Sequence, residues 1–154
     1  MIKEKFSTLW AYIESLENTI NDQIKKIEQL NPDNEDKLIN LAYQLHNIYS
    51  VYEDMFKEIS IIFENDIDRN TDYHKYLLKR MTLSIPNIRP NFLSEKSYSI
   101  LGEMLGFRYV FRHAYNYSLS QEKIKILKKK FTDNFHYIKR DIEIFKNFLE
   151  ENFR

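Results

Sequence analysis

The run Ile20-Asn-Asp-Gln-Ile24-Lys-Lys-Ile27-Glu-Gln-Leu-Asn31-Pro32-Asp-Asn34-Glu-Asp-Lys-Leu38-Ile-Asn-Leu41-Ala-Tyr-Gln-Leu45 holds the end of one helix, a corner and the start of the next. On both sides of the corner the apolar residues stand three or four apart, the spacing that gathers them on one helical face. Pro32 has no amide hydrogen to give, and it disfavours helical backbone at Asn31 before it. Asn34 carries a side-chain oxygen able to accept from a free amide in the first turn that follows. Working outward, Phe6, Leu9, Ile13 and Leu16 extend the first stripe back into a helix of about six turns. Ile48, Tyr52, Met55, Ile59 and Ile62 carry the second stripe forward for a similar length. So short a corner lays two long helices antiparallel.

The rest of the chain follows the same rule. Glu64–Asp72 is polar and reads as a loop, after which a short helix is expected from Tyr73 to about Leu83. Pro86 and Pro90 fall in a second loop. Ser94 then caps a helix from Glu95 to Tyr117, and from Gln121 the stripe Ile124, Leu127, Phe131, Phe135, Ile138, Ile142, Phe145, Leu149 describes a long last one. With Gly twice and Pro three times in 154 residues, breakers are too few for a sheet with many turns. The expectation is an all-α antiparallel helical bundle, with two long N-terminal helices, a shorter helix over 95–117 and a long C-terminal helix. It is one domain spanning 1–154, without repeats or linkers.

Composition removes several classes of function. There is no Cys, so disulfides, thiolate metal sites and thiol nucleophiles are excluded. Two glycines cannot build a phosphate-cradling loop. The start, Met1-Ile-Lys-Glu-Lys-Phe6, has no apolar signal region and no run is long enough to span a bilayer, so a cytoplasmic protein with no membrane partner is expected. Net charge is zero, yet residues 1–72 carry 7 Lys/Arg against 15 Asp/Glu and residues 73–154 carry 16 against 8. A basic second half would draw a polyanion. Acidic helices laid against basic ones would instead neutralise each other, and both readings stay open here.

The chemistry is concentrated in Arg108-Tyr109-Val-Phe-Arg112-His113-Ala-Tyr115. An imidazole can move protons near neutral pH and a guanidinium can hold phosphate oxygens by paired hydrogen bonds, so the two together can cleave a phosphodiester without metal. At about 100° per residue, Arg108, Arg112 and Tyr115 fall within about 60° of one another, whereas His113 is about 140° from Arg108. One straight helix therefore does not converge Arg108 and His113 on one phosphate. A two-fold dimer could, with the arginine of one copy facing the histidine of the other.

The pattern R-x4-H-x-Y formed by Arg108, His113 and Tyr115 resembles the signature of HEPN-domain ribonuclease toxins of the HepT type. The likeness extends to the run Tyr73-His74-Lys-Tyr-Leu77-Leu78-Lys-Arg80-Met81 and to Ile85-Pro86-Asn-Ile-Arg89-Pro90, which stand in the family's order and bring the covered region to about residues 73–117. It implies a HEPN-like bundle and a homodimer with a composite cleft. It also implies a metal-independent endoribonuclease that needs no cofactor and leaves a 2′,3′-cyclic phosphate. Arg108 would bind the scissile phosphate and His113 would handle protons, while Arg112 and Tyr109 would contact the RNA substrate; the alternating aromatics around 107–117 could stack unpaired bases, which suits a single strand or a tRNA loop better than a duplex. The resemblance further implies a cognate MNT-type nucleotidyltransferase antitoxin that places AMP on Tyr115. The residue after the motif arginine is commonly polar in such ribonucleases, and here it is Tyr109. That departure favours a rival reading, a catalytically inactive HEPN-like dimer serving as adaptor for a nucleotidyltransferase.

Other features read more plainly. Asp66-x-Asp68-x-Asn70-x-Asp72 imitates the opening of a calcium loop but has Thr71 where the glycine belongs and Leu77 where the glutamate does. His46, His74 and His136 sit on separate segments without ligand spacing, so no metal site is expected. Lys128-Lys129-Lys130 reads as a solvated turn of the last helix that could reach a phosphate backbone. Tyr117 reads as a packing aromatic.

Overall fold

The computed structural model describes residues 2–65, 73–112 and 120–153. They form five helices: α1 (Ile2–Gln29), α2 (Glu35–Glu64), α3 (Tyr73–Arg80), α4 (Glu95–Arg112) and α5 (Gln121–Phe153). The expected corner is present in detail. The Asn34 side chain accepts from the Lys37 amide at 2.9 Å, and Glu35 and Asp36 place negative charge in the first turn of α2. α2 ends on Asn65, held at φ 50° with its amide donating to the Ile61 carbonyl, a left-handed cap that Asn tolerates better than most residues.

Phe6 near the start of α1 stacks on Phe63 near the end of α2, with ring centroids 5.0 Å apart, so the two run antiparallel. α5 runs antiparallel to α1 as well. Lys128 near its start donates to the Leu30 carbonyl at 2.9 Å, and Lys146 near its end pairs with Glu14 and Glu17. The expected stripes are the buried faces: Leu9, Ile13, Ile20, Ile24 and Ile27 on α1, and Ile124, Leu127, Phe131, Ile138, Ile142, Phe145 and Leu149 on α5. Helix α2 touches all four others and is buried on a second face by Tyr49, Glu53, Phe56 and Ser60.

The two halves of opposite charge interleave. Lys146 on α5 meets Glu14 and Glu17 of α1, while Arg80 and Arg89 both reach Glu64 of α2. Part of the basic half is therefore neutralised within the chain. The three lysines at 128–130 are likewise tied: Lys128 to Leu30, Lys129 to Asp133 at 3.1 Å and Lys130 to Glu103.

Helix α3 stops at Arg80 rather than near Leu83. Its exit tightens instead: the amides of Met81, Thr82 and Leu83 donate to carbonyls three residues back, and the Thr82 hydroxyl donates to the Lys79 carbonyl at 2.7 Å. The Met81 carbonyl then accepts from the amides of Phe92 and Leu93, which closes the loop 82–92 on itself. Within it Ile85 and Arg89 exchange backbone hydrogen bonds around Asn87, whose φ is 66°. The Arg89 side chain is fully buried, with Nη1 donating to the carbonyls of Leu83 and Pro90 and Nη2 to Glu64 Oε1 and the Arg80 carbonyl. Burial pushes the Arg89 pKa down, and Glu64 offsets part of that. The Ile-Pro-x-x-Arg-Pro block thus has a physical purpose: its arginine is the hub of the α3–α4 loop.

Ser94 begins α4 as expected. Its Oγ accepts from the Ser97 amide at 3.4 Å, and Asp141 Oδ2 on α5 accepts from the Ser94 amide and from the hydroxyls of Ser94 and Ser97. Among the described residues no helix is long and apolar enough to cross a membrane.

Candidate active site

Arg108 lies near the C-terminal end of α4, half-buried, where α4 passes both α2 and α3. Its Nη1 donates to Nε2 of His74 on α3 at 3.3 Å. The other ring nitrogen of His74, Nδ1, lies 2.9 Å from each carboxylate oxygen of Glu53 on α2. Three helices thereby contribute one side chain each to a continuous chain of contacts from carboxylate through imidazole to guanidinium.

The partners assign the protons. A guanidinium can only donate, so Nε2 must carry the lone pair, and the ring hydrogen sits on Nδ1 and is donated to Glu53. A doubly protonated ring would set N–H against N–H. The carboxylate is nearly enclosed, at 4% exposure, while the imidazole is 36% exposed. A charge as buried as Glu53 needs partners, and it has His74 together with Lys57, whose Nζ is 3.8 Å from Oε1. One turn earlier on α2, Tyr49 is buried beside the same group. Burial pushes its phenol well above the usual range, the Glu53 carboxylate adds to this, and the Arg108 charge opposes it. Tyr73 closes the side of the ring, edge-on to His74 at 5.2 Å between centroids.

Short as it is, α3 could not hold His74 by its own helical stability. Leu77 and Leu78 bury its inner face, and both its ends are paired with α2: His74 with Glu53 at the start, Arg80 Nε with Glu64 Oε1 as an ion pair at 3.0 Å at the end. Near the exit of α4, Phe107 stacks on Phe111, and Phe111 packs on the His46 ring of α2 at 5.5 Å.

Of the residues singled out by the motif, the structure describes two in full. Arg108 faces into the bundle toward His74. Tyr109, one residue on and about 100° round the helix, stands 67% exposed, with Val110 beside it at 56%. Arg112 is the last residue of α4. His113 and Tyr115 lie outside the described residues, as does the acidic run 66–72.

Sequence reasoning missed His74 and Glu53 as site residues. His74 stood in one of the quoted family blocks but was weighed only as a metal ligand. Glu53 stood on a second buried stripe, Tyr49-Glu53-Phe56-Ser60, and a carboxylate on such a stripe implies a partner from another helix. Among the described residues, no three His, Asp or Glu side chains are gathered to hold a metal ion.

A family model described as a HepT-like protein matches residues 40–149, more than two thirds of the chain. No curated protein and no solved structure matches it. The matched span includes Glu53, His74, Arg89 and Arg108 together with the whole R-x4-H-x-Y pattern. With an all-helical bundle around that span and the motif arginine turned toward His74 where three helices meet, the chain belongs to the HepT-like family.

Proposed function

We propose that this protein is a metal-independent endoribonuclease toxin of a HepT/MNT-type pair. Arg108 binds the scissile phosphate, His113 handles a proton, and Arg112 and Tyr109 contact the RNA. The observation that carries the proposal is the pairing of Arg108. Its guanidinium is half-buried beside a neutral imidazole, and no carboxylate among the described residues lies within ion-pair distance. A guanidinium neutralised by a carboxylate would have to give up an ion pair before meeting phosphate, whereas this one has only the hydrogen bond from Nη1 to His74 to exchange. The reaction is attack of the 2′-hydroxyl on the adjacent phosphorus, with the 5′-oxygen leaving and a 2′,3′-cyclic phosphate remaining. The two chains of a homodimer form the cleft, and the antitoxin switches it off by transferring AMP to Tyr115.

The test is cleavage of bulk tRNA and of a mixed-sequence single-stranded RNA carrying a fluorophore and quencher. Arg108→Ala and His113→Ala should each lower the rate by about 10²–10⁴-fold while the variants stay folded. EDTA should leave the parental rate intact. A folded variant that cuts at the parental rate removes its residue from the mechanism, and loss of activity with EDTA removes the metal-free chemistry. Tyr109 favours a second reading, an inactive adaptor for the nucleotidyltransferase, since an exposed phenol replaces a polar group there. Parental protein that binds the partner and cuts neither RNA would establish it.

A further inference from the structure

We infer that His74 is the general base of the cleavage, taking the proton of the attacking 2′-hydroxyl on Nε2, with Glu53 as the residue that positions it. The inference rests on the ribonuclease reading above and assigns a residue that the R-x4-H-x-Y motif does not contain.

Three observations carry it. First, Glu53 holds the ring from behind by both carboxylate oxygens, at 2.9 Å each, and is itself buried. This fixes the tautomer and the ring plane, leaving the lone pair on Nε2, the arrangement that prepares an imidazole to accept a proton. Second, that nitrogen points at Arg108, 3.3 Å away. A phosphate gripped by the guanidinium lies within reach of Nε2 once Nη1 exchanges the imidazole for a phosphate oxygen. Third, the imidazole is 36% exposed while its carboxylate is 4% exposed, so substrate has access to the ring and water has little access to the ion pair that would form behind it.

The step balances without any co-reactant. The 2′-oxygen loses its proton to Nε2 and bonds to phosphorus, and the bond from phosphorus to the 5′-oxygen breaks. The leaving oxygen takes a proton from the acid that the ribonuclease mechanism already requires. The imidazolium at His74 is stabilised by Glu53 and returns its proton to solvent. The charged and titratable groups around the ring are Glu53, Lys57 beside that carboxylate, Tyr49, Tyr73 and Arg108.

A role in proton transfer and a role in merely orienting Arg108 separate experimentally. His74→Gln keeps an acceptor for Arg108 and a donor for Glu53 but transfers no proton; His74→Ala keeps neither. Single-turnover cleavage of the fluorogenic RNA is measured from pH 5 to 9 for both and for the parent. Binding of the same sequence as uncleavable 2′-O-methyl RNA is measured alongside, with Tm as the check on folding. Both variants should lose about 10²–10⁴-fold in rate and the rising acidic limb of the pH profile. Their affinity for the methylated RNA should stay within about threefold of parental, since Arg108 remains. Parental cleavage in either variant overturns the assignment and leaves the ribonuclease reading standing. So does recovery of the rate by Gln alone, or an affinity that falls in step with the rate, since either makes His74 a support for Arg108. A parent that cuts neither RNA overturns the ribonuclease reading and this assignment together.

Discussion

Arg89→Met should lower the Tm by about 8–16 °C, although the residue lies in a loop. The guanidinium is fully buried and gives four hydrogen bonds, to the carbonyls of Leu83, Pro90 and Arg80 and to Glu64 Oε1, at 2.9–3.1 Å. Methionine fills the volume of the stem and none of those acceptors. Glu64 keeps Arg80 at 3.0 Å, so its charge is not abandoned. The carbonyls of Leu83 and Pro90 are, whereas that of Arg80 keeps the Leu83 amide; a buried polar group left without its partner costs about 1–3 kcal/mol. Against this, Arg89 Nε has no partner among the described residues, and its removal relieves that burial. The balance is about 4 kcal/mol, within the roughly 2–6 kcal/mol summed over those two carbonyls. At roughly 2–4 °C per kcal/mol for a chain of this size, the shift follows. Arg89→Lys keeps the charge but has no planar fork to span four acceptors, and it should recover less than half of the loss. Thermal unfolding followed by far-ultraviolet circular dichroism measures both. A Tm for Arg89→Met within 2 °C of parental would show that the loop 82–92 is held by something other than this guanidinium.

Three further outcomes are expected. Co-expression with an MNT-type nucleotidyltransferase should add multiples of AMP to the intact mass, and these should vanish in Tyr115→Phe; a shift that persists there places the modification elsewhere. Light scattering at micromolar concentration should give the mass of two chains, and a monomer would end the idea of a shared cleft. The Lys146 pKa depends on opposing effects: burial lowers it, while the hydrogen bond it donates to Glu14 and the charges of Glu17 and Glu143 raise it by more, so that the net is above 10.5. A folded-state value raised in this way contributes stability that is fully present below 10.5 and lost as pH rises through the folded value. Lys146→Met should therefore show a shallower fall in Tm between pH 10 and 12 than the parent; equal slopes would mean that the Lys146 cluster does not couple to folding.

How far the fold could be read ahead follows from where its determinants lie along the chain. The Asn34 cap, the Asn31-Pro32 stop and the stripes of α1, α2 and α5 are local, so periodicity and cap chemistry recover them almost to the residue. The end of α3 was missed by three residues because its terminus is set by Met81 receiving Phe92 and Leu93 from across the loop, a contact that no local pattern announces. The site divides the same way. Arg108 stood out because its motif is contiguous. Glu53 and His74 are 21 residues apart, and His74 and Arg108 are 34 apart, on helices whose adjacency only tertiary packing decides. Arg89 was visible as part of a block, but whether it served chemistry or architecture could be settled only by finding its four acceptors indoors.

The anchoring of α4 by Asp141 makes the helix a lever. Three donors from Ser94 and Ser97 meet one carboxylate oxygen at its base. Arg108 rides fourteen residues farther out, about 21 Å at 1.5 Å per residue. A tilt of about 3° at the base would sweep the guanidinium through about 1 Å, a displacement large enough to spoil a reacting geometry. Aim at the far end is thus governed by a carboxylate on another helix, about 21 Å away. Drift at position 141 would then be felt as a loss of alignment long before it was felt as a loss of fold.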